Sequence, residues 1–394
     1  MSTIETKIVR AEILPHPNAD KLSIARIGGE GGFECAVGID QFKTDDLVIY
    51  VMPDSVITEE MSTTLMERSK VQIKGGRIRA TNIRGMLSEG LCLDPKVWLG
   101  REVKEDDDVT KELGITKYEP PHPSMRSALK NGKGIRFNYQ NENFKEYYCV
   151  EKFKKSPKVL AELNQDVVAT IKYHGTNFRC GLVKKPQCRK SLWRKFIGLF
   201  VKEKPREFLV GSHNKIKIPT QSALKYGDYY NTDTWWKATK KYNLESVVNQ
   251  ISENEYMADQ RNTNLTRPWP DVAIYAEIIG PGIQKGYDYG VPAGELEIRV
   301  FDIMIDGVYA GWDKVVHLCK CFDLPIAEEV YRGPWSLDVV KHAAEVDEYN
   351  GKKYVREGVV IRPIEEAWHR KCGRVIFKYL NEAYLLNKKN SDFH

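Results

Sequence analysis

Val167-Val168-Ala169-Thr170-Ile171-Lys172-Tyr173-His174-Gly175-Thr176-Asn177-Phe178 is the stretch on which the fold turns. Residues 167–171 are apolar or β-branched over the length of a short strand. Lys172 ends that strand, Gly175 supplies a turn, and Asn177–Val183 reads as the returning strand. A lysine in this place is badly set for core packing and well set to be a nucleophile over a ligand pocket. An ammonium cannot attack, so the role predicts a pKa lowered by partial burial or by nearby positive charge. A solvated lysine at a hairpin end is the competing reading. A bare K-x-x-G does not decide between the two.

Four later stretches supply the missing context, because each sets charge in or beside a strand of buried type. Tyr275-Ala276-Glu277-Ile278-Ile279-Gly280 places a carboxylate among apolar neighbours, and Phe301-Asp302-Ile303 does the same beside an aromatic ring. Glu357-Gly358-Val359-Val360-Ile361-Arg362 carries an acid and a base at opposite ends of a β run. Val375-Ile376-Phe377-Lys378-Tyr379 holds a lysine in an apolar run near the C-terminus. Isolated buried charges are costly unless they pair or meet a ligand. One such strand is explained by a structural ion pair. The set together predicts a polar site on a sheet that reads a charged ligand.

Around these stretches the second half of the chain reads as mixed α and β. Helices are expected over Val159–Leu163, Trp235–Ile251, Val315–Phe322 and Leu337–Val346. Strands are expected over Asp166–Ile171, Phe208–Gly211, Asp271–Ile279, Glu297–Ile305, Gly358–Arg362 and Arg374–Tyr379. Residues 184–206 carry nine Lys/Arg against the single acid Glu203, with Trp193, Phe196 and Phe200 interleaved. That segment suits a phosphate backbone. It equally suits a solvated loop or an amphipathic helix, and both readings stay open.

The first hundred residues differ in texture. Short β-rich runs at Lys7–Leu14, Leu22–Ile27, Phe33–Val37, Leu47–Val51 and Gly90–Leu93 are separated by Gly, Asn and Asp turns, which predicts a small barrel of OB type. Lys70, Lys74, Arg77, Arg79 and Arg84 are candidates for a basic face. The acidic run Glu105–Asp108 reads as a solvated loop, and Tyr118-Glu119-Pro120-Pro121-His122-Pro123 breaks regular structure. The expected division is an OB domain over 1–118, a connecting segment over 119–150, and a second domain over 151–394.

Composition bounds the rest. The chain has 394 residues, 42% hydrophobic and 29% charged, with a net charge of +6. These values fit a globular protein with a sizeable core and do not by themselves indicate nucleic acid. No apolar run approaches the length of a membrane span and Met1–Arg10 lacks a signal-peptide core, so a soluble cytoplasmic protein is expected, without a membrane partner. Eight cysteines form no C-x-x-C pair, which argues against a disulfide framework or a zinc ribbon.

The order and spacing of the charged strands resemble the covalent nucleotidyltransferases, the superfamily of polynucleotide ligases and mRNA-capping enzymes. Lys172-Tyr173-His174-Gly175 corresponds to the lysine motif, and Glu277, Phe301-Asp302, Glu357–Arg362 and Lys378 to the later ones. Gly175-Thr176-Asn177-Phe178, Gly280-Pro281-Gly282-Ile283-Gln284-Lys285 and Asp288-Tyr289-Gly290 are similar to the phage RNA ligase 2 type. The early barrel resembles the RNA ligase 5 type. His16–Leu22 and Arg84–Gly90 resemble tRNA-binding OB modules. The implied fold is α+β: an N-terminal OB barrel followed by a ligase domain, ATP-grasp-like, of antiparallel sheets and helices.

The resemblance implies ATP-dependent joining of RNA 3′-hydroxyl and 5′-phosphate ends, nicked duplexes among them, through lysyl-AMP and RNA-adenylate, in RNA repair. Lys172 is the implied nucleophile, with Lys378 and Glu357 catalytic. Ile171, His174, Gly175, Asn177, Ser212, Asn214, Glu277, Phe301, Arg362 and Lys378 are the implied nucleotide-binding residues. Glu357, His174 through a water, and Glu277 are the implied holders of Mg²⁺ or Mn²⁺. Three positions depart from the pattern. His174 stands where many ligases have an acid. Ser212-His213-Asn214 stands in place of a Ser-Arg pair, and Leu380 in place of a second lysine. The missing phosphate contact is expected from residues 184–206 or Lys388, or is absent. DNA ligase, capping guanylyltransferase and a non-catalytic tRNA/RNA-binding OB protein are the alternatives.

Overall fold

The computed structural model describes residues 4–69, 71–118, 140–186, 205–217, 233–263, 268–345, 348–349 and 352–386. Three five-stranded sheets organise it. The first runs Phe33–Gly38, Leu22–Ile27, Lys7–Pro15, Leu47–Val51, Leu91–Leu93, antiparallel throughout. All five strands expected of the early barrel are therefore present. A hairpin that the turn pattern did not reveal, Ala80–Ile83 with Met86–Glu89, nearly closes it. Ser88 Oγ accepts from Ala36 N at 3.0 Å across the seam. The two barrel stretches singled out in the sequence brace one another: Asn18 Nδ2 donates to the Arg84 carbonyl at 2.9 Å, and His16 lies 3.3 Å from the Ile83 carbonyl.

One member of the expected basic face turns inward. Arg77 is buried, bonds Asp54 at 2.8 Å and stacks on Tyr118. Lys74, Arg79 and Arg84 are exposed. Lys70 lies outside the described residues.

The second sheet runs Glu151–Lys152, Phe377–Leu380, Gly358–Pro363, Asp166–Ile171, Glu329–Pro334. The third runs Arg206–Gly211, Thr176–Lys184, Val272–Ile279, Glu297–Ile305, Val308–Tyr309. Every pairing in these two is antiparallel except Glu151–Lys152 on Phe377–Lys378. Val167 and Ala169 pack with Val340, Val359 and Phe377 on one side of the second sheet. Val168 and Ile171 join the larger core between the sheets. Residues 167–171 are thus buried without alternation because both faces of the strand are covered.

The expected returning strand does not return. Asp166–Ile171 pairs with Gly358–Pro363 and Glu329–Pro334, whereas Thr176–Lys184 belongs to the third sheet. Lys172–Gly175 is consequently a crossover between two sheets and not a hairpin end. The expected helix Trp235–Ile251 is two helices, Thr234–Lys241 and Leu244–Thr263, because Asn243 adopts a left-handed conformation with φ 48°. The expected strand Arg374–Tyr379 is also split: Gly373–Arg374 pairs with Trp368–His369, and Phe377–Leu380 enters the second sheet. No helix among the described residues is long and apolar enough to cross a membrane.

Candidate active site

The crossover is clamped at both ends. Lys172 N donates to the Gly358 carbonyl at 3.0 Å in the second sheet. Gly175 N donates to Glu277 Oε1 at 3.1 Å in the third. Gln284 Nε2 donates to the Gly175 carbonyl at 2.8 Å, and His174 N donates to Tyr289 Oη at 2.7 Å. A Cβ on Gly175 would lie 2.2 Å from the Ile278 carbonyl oxygen, so only glycine permits this approach of the sheets.

A cavity of about 220 Å³ opens beside the crossover. Lys172, Glu277 and Lys378 give it charge, and Tyr147, Tyr148, Tyr173 and Phe301 give it aromatic surface. Ile171, Asn177, His213, Arg299 and Arg362 also border it. A wider, open cleft of about 680 Å³ adjoins it through Tyr173 and Arg299, but none of Lys172, Glu277, Glu357 or Lys378 lines that cleft.

Lys172 Nζ lies 2.5 Å from Glu357 Oε1. The lysine keeps 27% of its side chain exposed, toward the cavity, while Glu357 keeps 3%. Burial pushes the Lys172 amine down, but the Glu357 and Glu277 carboxylates outweigh it, and the pKa is raised. The lowered value expected for a nucleophile is therefore not found: two facing acids hold the proton on.

The neighbouring groups are shifted in complementary ways. Lys378 is pushed down to about 8 by burial and by the Lys172 charge. Burial pushes Glu277 up to about 8, against the attraction of Lys172 and with the help of Glu357. Burial also holds His174 below its ordinary value, which leaves a neutral imidazole at pH 7. Its Nδ1 lies 3.1 Å from Tyr384 Oη and 3.7 Å from Glu357 Oε2.

Beneath this set lies a second charged network. Asp302 is fully buried and accepts from Arg374 at 2.6 Å and from the Tyr147 hydroxyl at 2.8 Å. Arg374 also bonds Glu366 at 2.6 and 2.5 Å. Burial opposes its charge, but these carboxylates raise its pKa. Asp302 is thus a structural ion pair, as one of the charged strands had been expected to allow. Arg362 borders the cavity, yet its guanidinium donates to the Phe301 carbonyl at 2.9 Å, sits 3.3 Å from Asp302 and stacks on Trp312.

The structure brings together Ile171, Lys172, His174, Gly175, Asn177, Glu277, Phe301, Glu357, Arg362 and Lys378 around the crossover and its cavity. Ser212 and Asn214 do not border the cavity: Ser212 Oγ lies 3.4 Å from the Lys215 carbonyl and Asn214 is exposed. His213, between them, does border it. Residues 187–204 of the basic segment and Lys388 lie outside the described residues. The residue reading missed Tyr147, Tyr148, Arg299 and Tyr384. The aromatic pair Tyr147-Tyr148 stood in a segment read as a connector, so no pattern drew attention to it.

Among the described residues no three His, Cys, Asp or Glu side chains stand close enough to cage a metal ion. Glu277 lines the cavity and Glu357, buried against Lys172, repels it, so the two offer carboxylate oxygens on either side of the lysine. That donor set suits a hard divalent cation that keeps most of its waters, with neutral His174 able to accept from one of them.

Comparison with known proteins agrees with this architecture. A family model described as RNA ligase matches residues 165–380, and an OB-fold domain model matches residues 2–95. A Naegleria gruberi RNA ligase mutant with ATP and Mn is 20% identical, with a TM-score of 0.67 over 98% of this chain and 99% of that one. Naegleria gruberi RNA ligase with PPi is 19% identical, with a TM-score of 0.67 over 99% and 100%. A mutant of it with AMP and Mn is 20% identical, with a TM-score of 0.64 over 98% of each chain. The fold, an OB barrel followed by paired antiparallel sheets and helices, is shared with these structures. The matched model spans more than half of the 394 residues and takes in the crossover, both carboxylates and Lys378, and on that match this chain belongs to the RNA ligase family.

Proposed function

We propose that the chain is an ATP-dependent RNA ligase that joins a 3′-hydroxyl to a 5′-phosphate and acts on broken RNA, nicked duplexes among them, in the cytoplasm. The observation that carries this reading is Lys172 Nζ facing a small cavity lined by the Glu277 carboxylate, a second lysine and aromatic walls, with the buried Glu357 carboxylate in direct contact with that amine. Lys172 is the nucleophile toward the α-phosphate of ATP. Its nitrogen–phosphorus bond forms as the bond from the α-phosphorus to the pyrophosphate oxygen breaks, and the amine proton leaves. Glu357, in direct contact with Nζ, is placed to receive that proton. The RNA 5′-phosphate then takes AMP from the lysine, and the 3′-hydroxyl displaces AMP as the strand is sealed.

The other residues bind and orient. Lys378 neutralises phosphate oxygens: burial and the Lys172 charge push its pKa down to about 8, and an anionic phosphate beside it offsets both. Glu277 fixes the crossover through Gly175 and offers its other oxygen to the ribose or to a cation. Phe301, tied by Arg362 through its carbonyl, stacks on the base with Tyr147 and Tyr148 beside it. Asn177 is fixed through its carbonyl by Trp235 Nε1 at 3.0 Å. His213 takes the place expected of Ser212 and Asn214. Glu357, Glu277 and, through a water, His174 would hold a hydrated Mg²⁺ or Mn²⁺, whose charge would neutralise phosphate and disfavour the ammonium form of Lys172.

The test is a sealing assay on nicked duplex RNA with 5′-phosphate and 3′-hydroxyl termini. Joined product that requires ATP and a divalent cation supports the reading. No product on nicked, stem-loop or single-stranded RNA, from a protein that binds ATP, sinks it.

A further inference from the structure

The chain leaves the cavity wall at Arg362 and returns to it at Ile376, and a short hairpin occupies the excursion. Trp368–His369 pairs with Gly373–Arg374, and Arg370-Lys371-Cys372 makes the turn. Trp368 keeps 73% of its surface exposed, the highest value among the exposed large hydrophobic side chains of the described residues. Arg370 and Lys371 are exposed next to it.

This hairpin is not a loose tip. His369 Nδ1 accepts from Lys371 N at 3.3 Å, and its Nε2 faces Glu162 at 3.4 Å, which fixes the turn to the helix Val159–Leu163. Val375 N donates to the Ala367 carbonyl at 2.9 Å and extends the pairing. At its base Arg374 bonds Asp302, Glu366 and the Tyr148 hydroxyl, the last at 3.2 Å. Asp302 adjoins Phe301, and Phe301 and Tyr148 both line the cavity. Gly373 takes a left-handed conformation with φ 72°, which favours glycine at the end of this turn, and it lies across the hairpin from the Trp368 ring.

An exposed indole costs solubility without adding to the core, and rigid placement beside two cations gives it a use. Aromatic faces flanked by Lys/Arg are how single-stranded nucleic acid is gripped: bases stack and phosphates are neutralised. Five residues separate Arg362 from Trp368, which sets their distance at no more than about 22 Å, within the length of a short RNA strand. We infer that the Trp368 hairpin is an RNA-docking element of the proposed ligase, with one base stacked on Trp368 and the adjoining phosphates on Arg370 and Lys371. This rests on the reading of the cavity as a ligase site. It adds a contact that holds an RNA strand outside the nucleotide pocket.

The experiment separates the two. Binding of a fluorescein-labelled, 5′-phosphorylated RNA of about 12 nucleotides is measured by anisotropy for the wild type, Trp368→Ala, Trp368→Phe and the pair Arg370→Ala/Lys371→Ala. Self-labelling with α-labelled ATP is measured on the same samples. Trp368→Ala is expected to weaken RNA binding by about tenfold, Trp368→Phe by less, with self-labelling unchanged. The double variant is expected to lower the slope of log K against log salt by about 1.4, the contribution of two phosphates on a single strand. Unchanged RNA binding in Trp368→Ala would overturn the inference and leave the indole to a protein partner. Equal loss in Trp368→Ala and Trp368→Phe, with a lowered melting temperature in both, would assign the residue a structural role and also overturn it. Absence of self-labelling in the wild type would instead overturn the ligase reading itself.

Discussion

Glu277 and Tyr384 show how the site is tuned one residue at a time. Glu277 has its pKa raised to about 8 because burial disfavours its charge. A carboxyl raised in the folded state contributes stability that is complete below its unfolded value of about 4.5 and is lost as pH climbs through 8. Glu277→Gln keeps an oxygen for Gly175 N and removes the ionisation. The variant should therefore gain melting temperature over the wild type progressively between about pH 4.5 and 8, with no further gain above, in thermal unfolding run across pH. A pH-independent difference would contradict the assignment. Tyr384 is fully buried, and burial keeps its phenol protonated within 3.1 Å of His174 Nδ1. Tyr384→Phe removes that partner, and self-adenylylation should slow by about 2- to 10-fold, the worth of one hydrogen bond. The charged members of the site were legible because a carboxylate or lysine inside an apolar strand is conspicuous. Tyr384 and Tyr147 were not, since a tyrosine among apolar residues looks the same whether it packs a core or orients an imidazole.

At the scale of elements, the decisive feature is the link between sheets at Lys172–Gly175. The sequence showed a strand, a turn glycine and a second strand, which a hairpin satisfies equally well. Only the pairing partners, far along the chain at Gly358–Pro363 and Val272–Ile279, separate the two topologies. The buried ion pair carried by Glu297–Ile305 stiffens the aromatic wall. Asp302→Asn leaves Arg374 buried without that carboxylate and removes a charged acceptor from Tyr147. Breaking such a pair is expected to cost about 3–5 kcal/mol. Urea unfolding followed by tryptophan fluorescence checks this, and a loss under about 1 kcal/mol would show that Glu366 alone satisfies Arg374.

At the scale of the whole molecule, the barrel and the catalytic sheets are joined by charge as well as by apolar packing. Lys154 bonds Glu89, whose side chain is 2% exposed, and lies 5.9 Å from the ring of Tyr379, the neighbour of Lys378. Lys154→Ala strands a buried carboxylate and should lower stability by about 3–5 kcal/mol, read as a shift in the urea midpoint. This junction was invisible in the sequence, because Glu89 and Lys154 belong to elements whose docking no local pattern encodes. The barrel strands themselves were legible, since their turns are marked by Gly, Asn and Asp. The central claim is that Lys172 forms a covalent bond to AMP. The most direct measurement is incubation with α-labelled ATP and Mn²⁺ followed by a denaturing gel, after pyrophosphate treatment to strip any AMP already bound. The account predicts label on the wild type and none on Lys172→Ala. Equal label on both, or none on the wild type, would contradict it.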